Sequence, residues 1–77
     1  MIILNGLKLI DTSSGIVLWV EEDTTDGKWN IVAYNILKPE NKEIMYQTNE
    51  FRVARNKLHM IDFWAAHNFK AVDMGDE

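Results

Sequence analysis

Three residues near the C-terminus have side chains that could bind a metal or transfer protons: His59, Asp62 and His67. Imidazole and carboxylate groups are common zinc ligands and common general acids and bases. On a helix, His59 and Asp62 share a face, but His67 lies about 80° around the axis from His59. Because a metal or acid–base site needs several converging groups with supporting contacts, the spacing favours solvated polar residues over such a site.

A second candidate is the acidic turn that contains Glu21, Glu22, Asp23 and Asp26. It lacks the ordered alternation and the final bidentate glutamate of a calcium loop. The chain also lacks a glycine-rich phosphate loop, a nucleophile elbow and a paired-histidine zinc motif. The sequence therefore predicts a protein that is not an enzyme, with no catalytic residue, no metal and no cofactor.

The length and composition of the chain limit the kind of domain that it can form. Its 77 residues make a single domain, residues 1–77, because a chain of this length buries only about 60–65% of its unfolded surface. Cysteine is absent, so neither disulfides nor thiolate zinc sites can add stability. The first residues have no basic segment ahead of an apolar run, which predicts a cytoplasmic location without membrane attachment.

The net charge is mildly acidic, with eight basic and twelve acidic residues giving −4. Clustered lysine and arginine provide most of the affinity for phosphate backbones, so this balance works against nucleic-acid binding. The acidic tail, residues 73–77, is expected to be solvated.

Short loops rich in Asp, Ser, Thr and Gly divide the first half of the chain into predicted strands. The predicted fold is α+β: an antiparallel four-stranded β-meander with one C-terminal α-helix packed on one face. The strands are placed at about 2–10, 15–22, 28–37 and 43–47, and the helix at about 49–67. Pro39 is assigned to the turn before an edge strand.

A fifth strand remains an open alternative, at 69–72. A second alternative is a hairpin at Asn5-Gly6 that would divide the first strand. We favour a bend there instead, because four-residue arms bury little surface.

The helical periodicity predicts one narrow apolar stripe facing the sheet and a second row beside it. The stripe is Phe51, Ala54, Leu58, Ile61 and Ala65, and the row is Val53, Met60 and Trp64. Phe63 belongs to neither and is expected on the solvent side, with no local packing to explain it.

Both faces of the predicted sheet are apolar, and one helix is too narrow to cover even one of them. We expect Leu9 to pair with Val17 and Trp19 with Ile31, which puts Trp19 and Trp29 on the same face. A four-stranded sheet is about 15–19 Å wide, whereas a helix is about 10 Å across. The uncovered surface could close on itself as a barrel-like sheet, pair with a second copy, or bind a different protein.

The function expected from these patterns is that of a small protein–protein interaction module, a homodimeric inhibitor, adaptor or regulator of another macromolecule. Such a layout is typical of a phage-encoded or host accessory protein. The predicted partner-binding residues are Trp19, Trp29, Val53, Met60, Phe63 and Trp64. The substitutions Phe63→Ser and Trp64→Ser are each expected to weaken association and leave the monomer folded.

A single-stranded nucleic-acid-binding protein remains the alternative function, because exposed sheet aromatics can stack on bases. The candidate aromatics are Trp19, Trp29, Tyr34 and Tyr46. No small-molecule ligand is inferred.

Overall fold

The computed structural model describes residues 1–70 and shows an α+β fold, an antiparallel five-stranded sheet with two short helices. The strands follow one another across the sheet in chain order, each antiparallel to the next. They are β1 (Ile2–Asn5), β2 (Lys8–Asp11), β3 (Ile16–Glu22), β4 (Trp29–Asn35) and β5 (Lys38–Thr48). The helices are α1 (Phe51–Leu58) and α2 (Ile61–Ala66).

The first predicted strand, residues 2–10, is wrong, because the chain forms the hairpin that we ranked second. Asn5 pairs with Lys8 across a two-residue loop, and Gly6 in that loop has a φ of 63°. Glycine adopts this left-handed conformation without a Cβ penalty. The loop is also anchored to the sheet, since the backbone N–H of Val20 donates to the Leu7 carbonyl at 3.1 Å. Tertiary contacts of this kind stabilise arms that are short by themselves.

The turn between β4 and β5 lies earlier than predicted. Strand β4 ends at Asn35, whose side-chain oxygen accepts a hydrogen bond from the Leu37 N–H at 2.9 Å, and Lys38 then pairs with Asn35. Pro39 therefore lies within β5 and not in the turn. Strand β5 is an edge of the sheet, as expected, so a residue without an N–H is tolerated there.

An irregularity in β5 buries two consecutive side chains. Val32 pairs with Ile44 and Ile31 pairs with Tyr46, which leaves Met45 as an extra residue on β5. Such a bulge interrupts the strict alternation of strand side chains. Met45 and Tyr46 are consequently both buried.

The pairing of β3 with both of its neighbours differs from the prediction by one residue. Leu9 pairs with Leu18 rather than Val17, and Trp19 pairs with Val32 rather than Ile31. A shift of one residue transfers every side chain of a strand to the other face. Strand β3 is therefore inverted relative to the predicted arrangement.

The single predicted helix over 49–67 is also wrong, because it is interrupted between Leu58 and Ile61. Met60 has a φ of −81° and a ψ of 73°, which is not helical. Ala54 and Leu58 face the sheet as the periodicity predicts, but in α2 the buried residue is Trp64 and Ala65 is exposed. Because the helix is broken before Ile61, the residues of α2 do not continue the helical periodicity of α1. The part of the predicted stripe that lies in α2 therefore does not face the core as a whole.

The alternative fifth strand at 69–72 is not present at its first two residues. Phe69 has a φ of 57° and is buried in the core just after the end of α2. Residues 71–72 and the acidic tail at 73–77 lie outside the described residues. Neither helix in residues 1–70 is long and apolar enough to cross a membrane.

The hydrophobic core lies between the sheet and the two helices. Its members are Leu9, Leu18, Val20, Ile31, Ala33, Met45, Tyr46, Ala54, Leu58, Trp64 and Phe69. The core is on one side of the sheet, and the side chains on the opposite side take no part in it.

Candidate functional site

The face of the sheet opposite the helices is the candidate site, and we call it the open face. Its apolar side chains come from all five strands and share it by their pairing register: Ile3, Ile10, Val17, Trp19, Val32, Tyr34 and Ile44. None of these seven belongs to the core or packs against it. Among residues 1–70, both helices contact the other side, so no described element covers this one.

Trp19 stands at the centre of the open face. Across the strands it lies between Lys8 on β2 and Val32 on β4. Along β3 it lies between Val17 and Glu21, because alternate residues of a strand share a face. The Lys8 Nζ is 4.8 Å from the centroid of the indole ring, which places the cation over it.

The centre of the open face is a buried apolar floor with larger exposed side chains around it. Val17 and Val32 are only 2% and 3% exposed, although no helix packs on them. Ile3, Trp19 and Ile44 keep 41%, 38% and 40% exposure, respectively. Neighbours on the same face thus shield the two valines while their own apolar surface remains in contact with water.

Polar side chains also lie on the open face. At one end of it, the Gln47 amide donates to the Asn30 side-chain oxygen at 2.9 Å. The Lys42 ammonium of β5 lies 3.4 Å from the Glu21 carboxylate of β3, so this ion pair passes over β4, the strand between them. The open face is therefore bordered by amides at that end and crossed by one ion pair.

The acidic turn beside this end has a structural role at Asp23. Its carboxylate accepts a hydrogen bond from the Thr25 N–H at 2.9 Å and another from the Asn30 amide at 3.4 Å. These bonds, the backbone bond first, lower the pKa of Asp23 from its ordinary value. The contacts are those of a stabilised turn rather than of a cation site.

Of the six predicted partner-binding residues, Trp19 alone lies on the open face. Trp29 is on the helix side, where its ring packs edge-on against Phe51 at 4.9 Å. Trp64 is fully buried, and its indole N–H donates to the Lys57 carbonyl at 2.7 Å. Because the register of β3 differs by one residue from the prediction, Trp19 and Trp29 lie on opposite faces of the sheet.

The remaining three predicted residues lie on the helices. Val53 is half-buried against the core and Met60 is exposed. Phe63 was expected to have no local packing, which is wrong: its ring contacts Trp64 at 5.1 Å and His67 at 4.4 Å, and the Lys57 Nζ lies 4.6 Å from it. The structure therefore does not bring the six residues together on one surface.

Six residues of the open face are missing from the predicted partner-binding set: Ile3, Ile10, Val17, Val32, Tyr34 and Ile44. The signal that could have found them is the four-residue loop between Asp11 and Ile16, which sets the register of β3 against β2. With that register, Trp19 shares a face with Ile10 and Val32. The open face then follows from the alternation along each strand.

Each histidine ring lies within hydrogen-bonding distance of a backbone carbonyl. The His59 Nε2 is 3.1 Å from the Gly6 carbonyl, and the His67 Nδ1 is 2.9 Å from the Phe63 carbonyl. Within the described part of the chain, no group of three or more His, Cys, Asp or Glu side chains is arranged to hold a metal ion.

A groove of about 560 Å³ lies on the helix side, where α2 ends. Its lining combines the apolar residues Ile16, Ala33, Met45 and Phe69 with the polar residues Asn41, Glu43 and Lys70, among others. No histidine, cysteine or serine from residues 1–70 lines it.

The aromatics proposed for base stacking are divided between the two sides of the sheet. Trp19 and Tyr34 share the open face, whereas Tyr46 is in the core and Trp29 packs against it. A continuous stacking platform of four rings is therefore not formed.

The chain was compared with protein-family models, with curated proteins and with solved structures, and none of the three comparisons found a match.

Proposed function

We propose that this protein is a non-catalytic protein–protein interaction module that binds its partner through the open face and acts as an inhibitor, adaptor or regulator. The observation that carries the proposal is the apolar face itself. Three large side chains, Ile3, Trp19 and Ile44, are exposed around a floor of buried valines, and no described element covers them. Contiguous exposed apolar patches on small domains mark interaction surfaces.

The arrangement of residues on the open face matches the anatomy of protein interfaces. Trp and Tyr are enriched among residues that contribute most to binding, and they lie near the centre of the contact. Trp19 occupies that position with Tyr34 on the neighbouring strand, and the charged groups beside them are Lys8 and the Glu21–Lys42 ion pair. Charged residues at a rim contribute to orientation and partner choice more than to affinity.

The nucleic-acid alternative has weaker support. Phosphate binding needs several free cations, but the open face offers Lys8, which lies over Trp19, and Lys42, which is paired with Glu21. Two stacking rings remain on this face instead of four. If the alternative were correct, oligonucleotides would quench Trp19 fluorescence at low salt and the effect would disappear as salt rises.

The direct test is to place a charge on the open face and follow complex formation. We expect Trp19→Glu and Ile44→Glu to abolish complexes, with the same chain or another protein, that the tagged wild-type protein forms in its cells of origin. The reason is that each variant would have to bury an unpaired carboxylate at the interface. Both side chains are already about 40% exposed, so the monomer should remain folded by circular dichroism.

The matched control is Leu37→Glu, because Leu37 is 85% exposed in the β4–β5 turn and lies outside the open face. This variant should form the same complexes as the wild-type protein. The proposal is wrong if the open-face variants retain every complex, or if Leu37→Glu loses complexes to the same degree.

A further inference from the structure

We propose that the outer edge of β1 binds an extended segment of another protein, which adds to the five-stranded sheet as a further strand beside β1. This binding mode rests on the proposed function, because Ile3 belongs both to β1 and to the open face, and the added strand continues that face. Two features of β1 support it: the backbone groups that it directs away from the sheet, and the apolar side chains beside them.

The pairing of β1 leaves four backbone groups free at its outer edge. The Thr12 N–H donates to the Met1 carbonyl at 2.9 Å, and Ile3 faces β2 in the same way because it is two residues from Met1. The N–H and C=O groups of Ile2 and Leu4 therefore point away from β2. Within residues 1–70, β2 is the sole strand beside β1, and no backbone group outside their ladder bonds to Ile2 or Leu4.

The opposite edge of the sheet, β5, does not offer the same site. Its residues Lys38, Pro39 and Lys42 hinder pairing with another strand, and its pairing with β4 is irregular. Strand β1 has no lysine, proline or bulge between Ile2 and Asn5. It is short, however, with four residues. Backbone bonds alone would therefore hold a partner weakly, and side-chain contacts must contribute as well.

The side chains along the β1 edge are apolar on both faces of the sheet. Ile2 and Leu4 are half-buried against the core on the helix side, and Ile3 is 41% exposed on the open face. A strand added at one strand spacing, about 4.8 Å, places its alternate side chains beside them. Two side chains of the partner then lie beside Ile2 and Leu4, and the one between them lies beside Ile3. Three consecutive apolar residues in the partner segment fit this edge.

A small pocket on the helix side can take one of these side chains. It has a volume of about 200 Å³ and is lined by Ile2 of β1 and by Ala65 and Phe69 at the end of α2, among others. Because Ile2 belongs both to the edge and to the pocket wall, a partner side chain beside Ile2 is within reach of the pocket. In strand addition, backbone bonds provide affinity and pockets for alternate side chains provide specificity. The pocket therefore favours an apolar residue of moderate size beside Ile2.

An extended segment of another protein suits this edge better than a second copy of the chain. Two β1 strands could share only four residues each, and their pairing would leave both open faces uncovered. A segment of another protein is not limited to the length of β1, so it can continue from the edge onto the open face. Antiparallel addition is expected, since that pairing is slightly more stable per residue.

Peptide selection tests the edge directly. The probe is a phage library of random linear peptides of about twelve residues, selected on the wild-type protein, after which the enriched peptides are synthesised. We expect the enriched sequences to contain three consecutive apolar residues. Their binding should slow amide hydrogen exchange at Ile2 and Leu4, measured by NMR, because both N–H groups become hydrogen-bonded.

Leu4→Pro removes an outward N–H and leaves the bonds to β2 intact, and proline is tolerated on edge strands. It should weaken peptide binding by about tenfold or more, because a carbonyl of the peptide loses its donor. Leu4→Val is the matched control, because it keeps the N–H and most of the apolar surface, and its affinity should stay within about threefold of the wild type. Amide exchange on the wild-type protein decides the question if Leu4→Pro does not fold.

Three results would overturn the edge as the binding site: no peptide is enriched, Leu4→Pro binds as well as Leu4→Val, or peptides leave the exchange at Ile2 and Leu4 unchanged. A dimer in sedimentation equilibrium that Leu4→Pro dissociates would overturn the partner, since the occupant would then be a second copy. Trp19→Glu separates this proposal from the proposed function, because β3 lies two strands from β1. Peptides that bind Leu4→Pro but not Trp19→Glu would overturn the edge and still support the open face.

Discussion

Trp64 and Phe63 are neighbours in the chain, but they have different environments. Trp64 is fully buried and its indole N–H is hydrogen-bonded, whereas Phe63 is half-buried beside it. Both residues were predicted to bind a partner because a single helix, continuous through Met60, would keep them away from the stripe that faces the sheet. The break at that residue directs Trp64 into the core instead.

The position of Trp64 changes the outcome expected for its serine variant. Trp64→Ser should destabilise the monomer by about 3–5 kcal/mol, because it removes a large buried side chain and leaves a cavity. This is a large fraction of the total stability of a small domain. Urea denaturation followed by circular dichroism would measure the free energy of unfolding.

Met60→Ser is the matched comparison for this prediction. Met60 is 46% exposed, so its loss should change the free energy of unfolding by less than about 1 kcal/mol. Similar losses for Met60→Ser and Trp64→Ser would contradict the assignment of Trp64 to the core.

The sequence indicated which segments form strands, but not which residues of neighbouring strands pair. The loop between Asp11 and Ile16 contains four residues, and this number decides which face β3 presents to the helices. Both faces of β3 are apolar, with Val17 and Trp19 on one side and Leu18 and Val20 on the other. The hydrophobic pattern therefore permits either register, and pairing with β2 and β4 selects one.

The N-terminus of α1 lacks a side-chain cap, which can be tested by substitution. Glu50 is the N-cap residue, with a φ of −124° and a ψ of 131°, but its side chain makes no capping hydrogen bond. Aspartate is a preferred N-cap, because its shorter carboxylate reaches the backbone N–H groups of the first turn. We expect Glu50→Asp to stabilise the protein by about 0.5–1 kcal/mol, which corresponds to a rise in Tm of roughly 2–8 °C.

Glu50→Gln is the control for the capping prediction, because it keeps the longer side chain and cannot supply the shorter cap. Its Tm, measured by differential scanning calorimetry, should not rise. If Glu50→Asp also fails to raise the Tm, Glu50 is not the N-cap residue of α1.

At the scale of the whole molecule, the sheet has two edges, and β5 is the longer one with 11 residues. Long exposed edges can pair with strands of other chains, and natural proteins protect them with lysine, proline and bulges. Strand β5 has all three features, in Lys38, Lys42, Pro39 and the irregular pairing near Met45. The edge is thus protected, whereas the open face is not.

Pro39→Thr should remove part of this protection, because it adds a backbone N–H and a β-favouring side chain to the edge. We expect earlier fibrillar aggregation, measured as a shorter lag in thioflavin fluorescence at neutral pH. Asn41→Thr provides the control, since it raises strand propensity nearby and keeps the proline. Equal shortening by both variants would show that Pro39 has no protective role.

The fold class, two of the turns, an edge position for the last strand and an excess of apolar residues over what a single helix can cover all follow from the sequence alone. These depend on local chemistry: turn residues, alternation along strands and helical periodicity. The tertiary structure decided the register of β3, the break before α2 and, through them, which apolar residues remain exposed. Each of these depends on a shift of one residue or a local change of phase, and the apolar pattern is compatible with either choice until the neighbouring strands and helices pack.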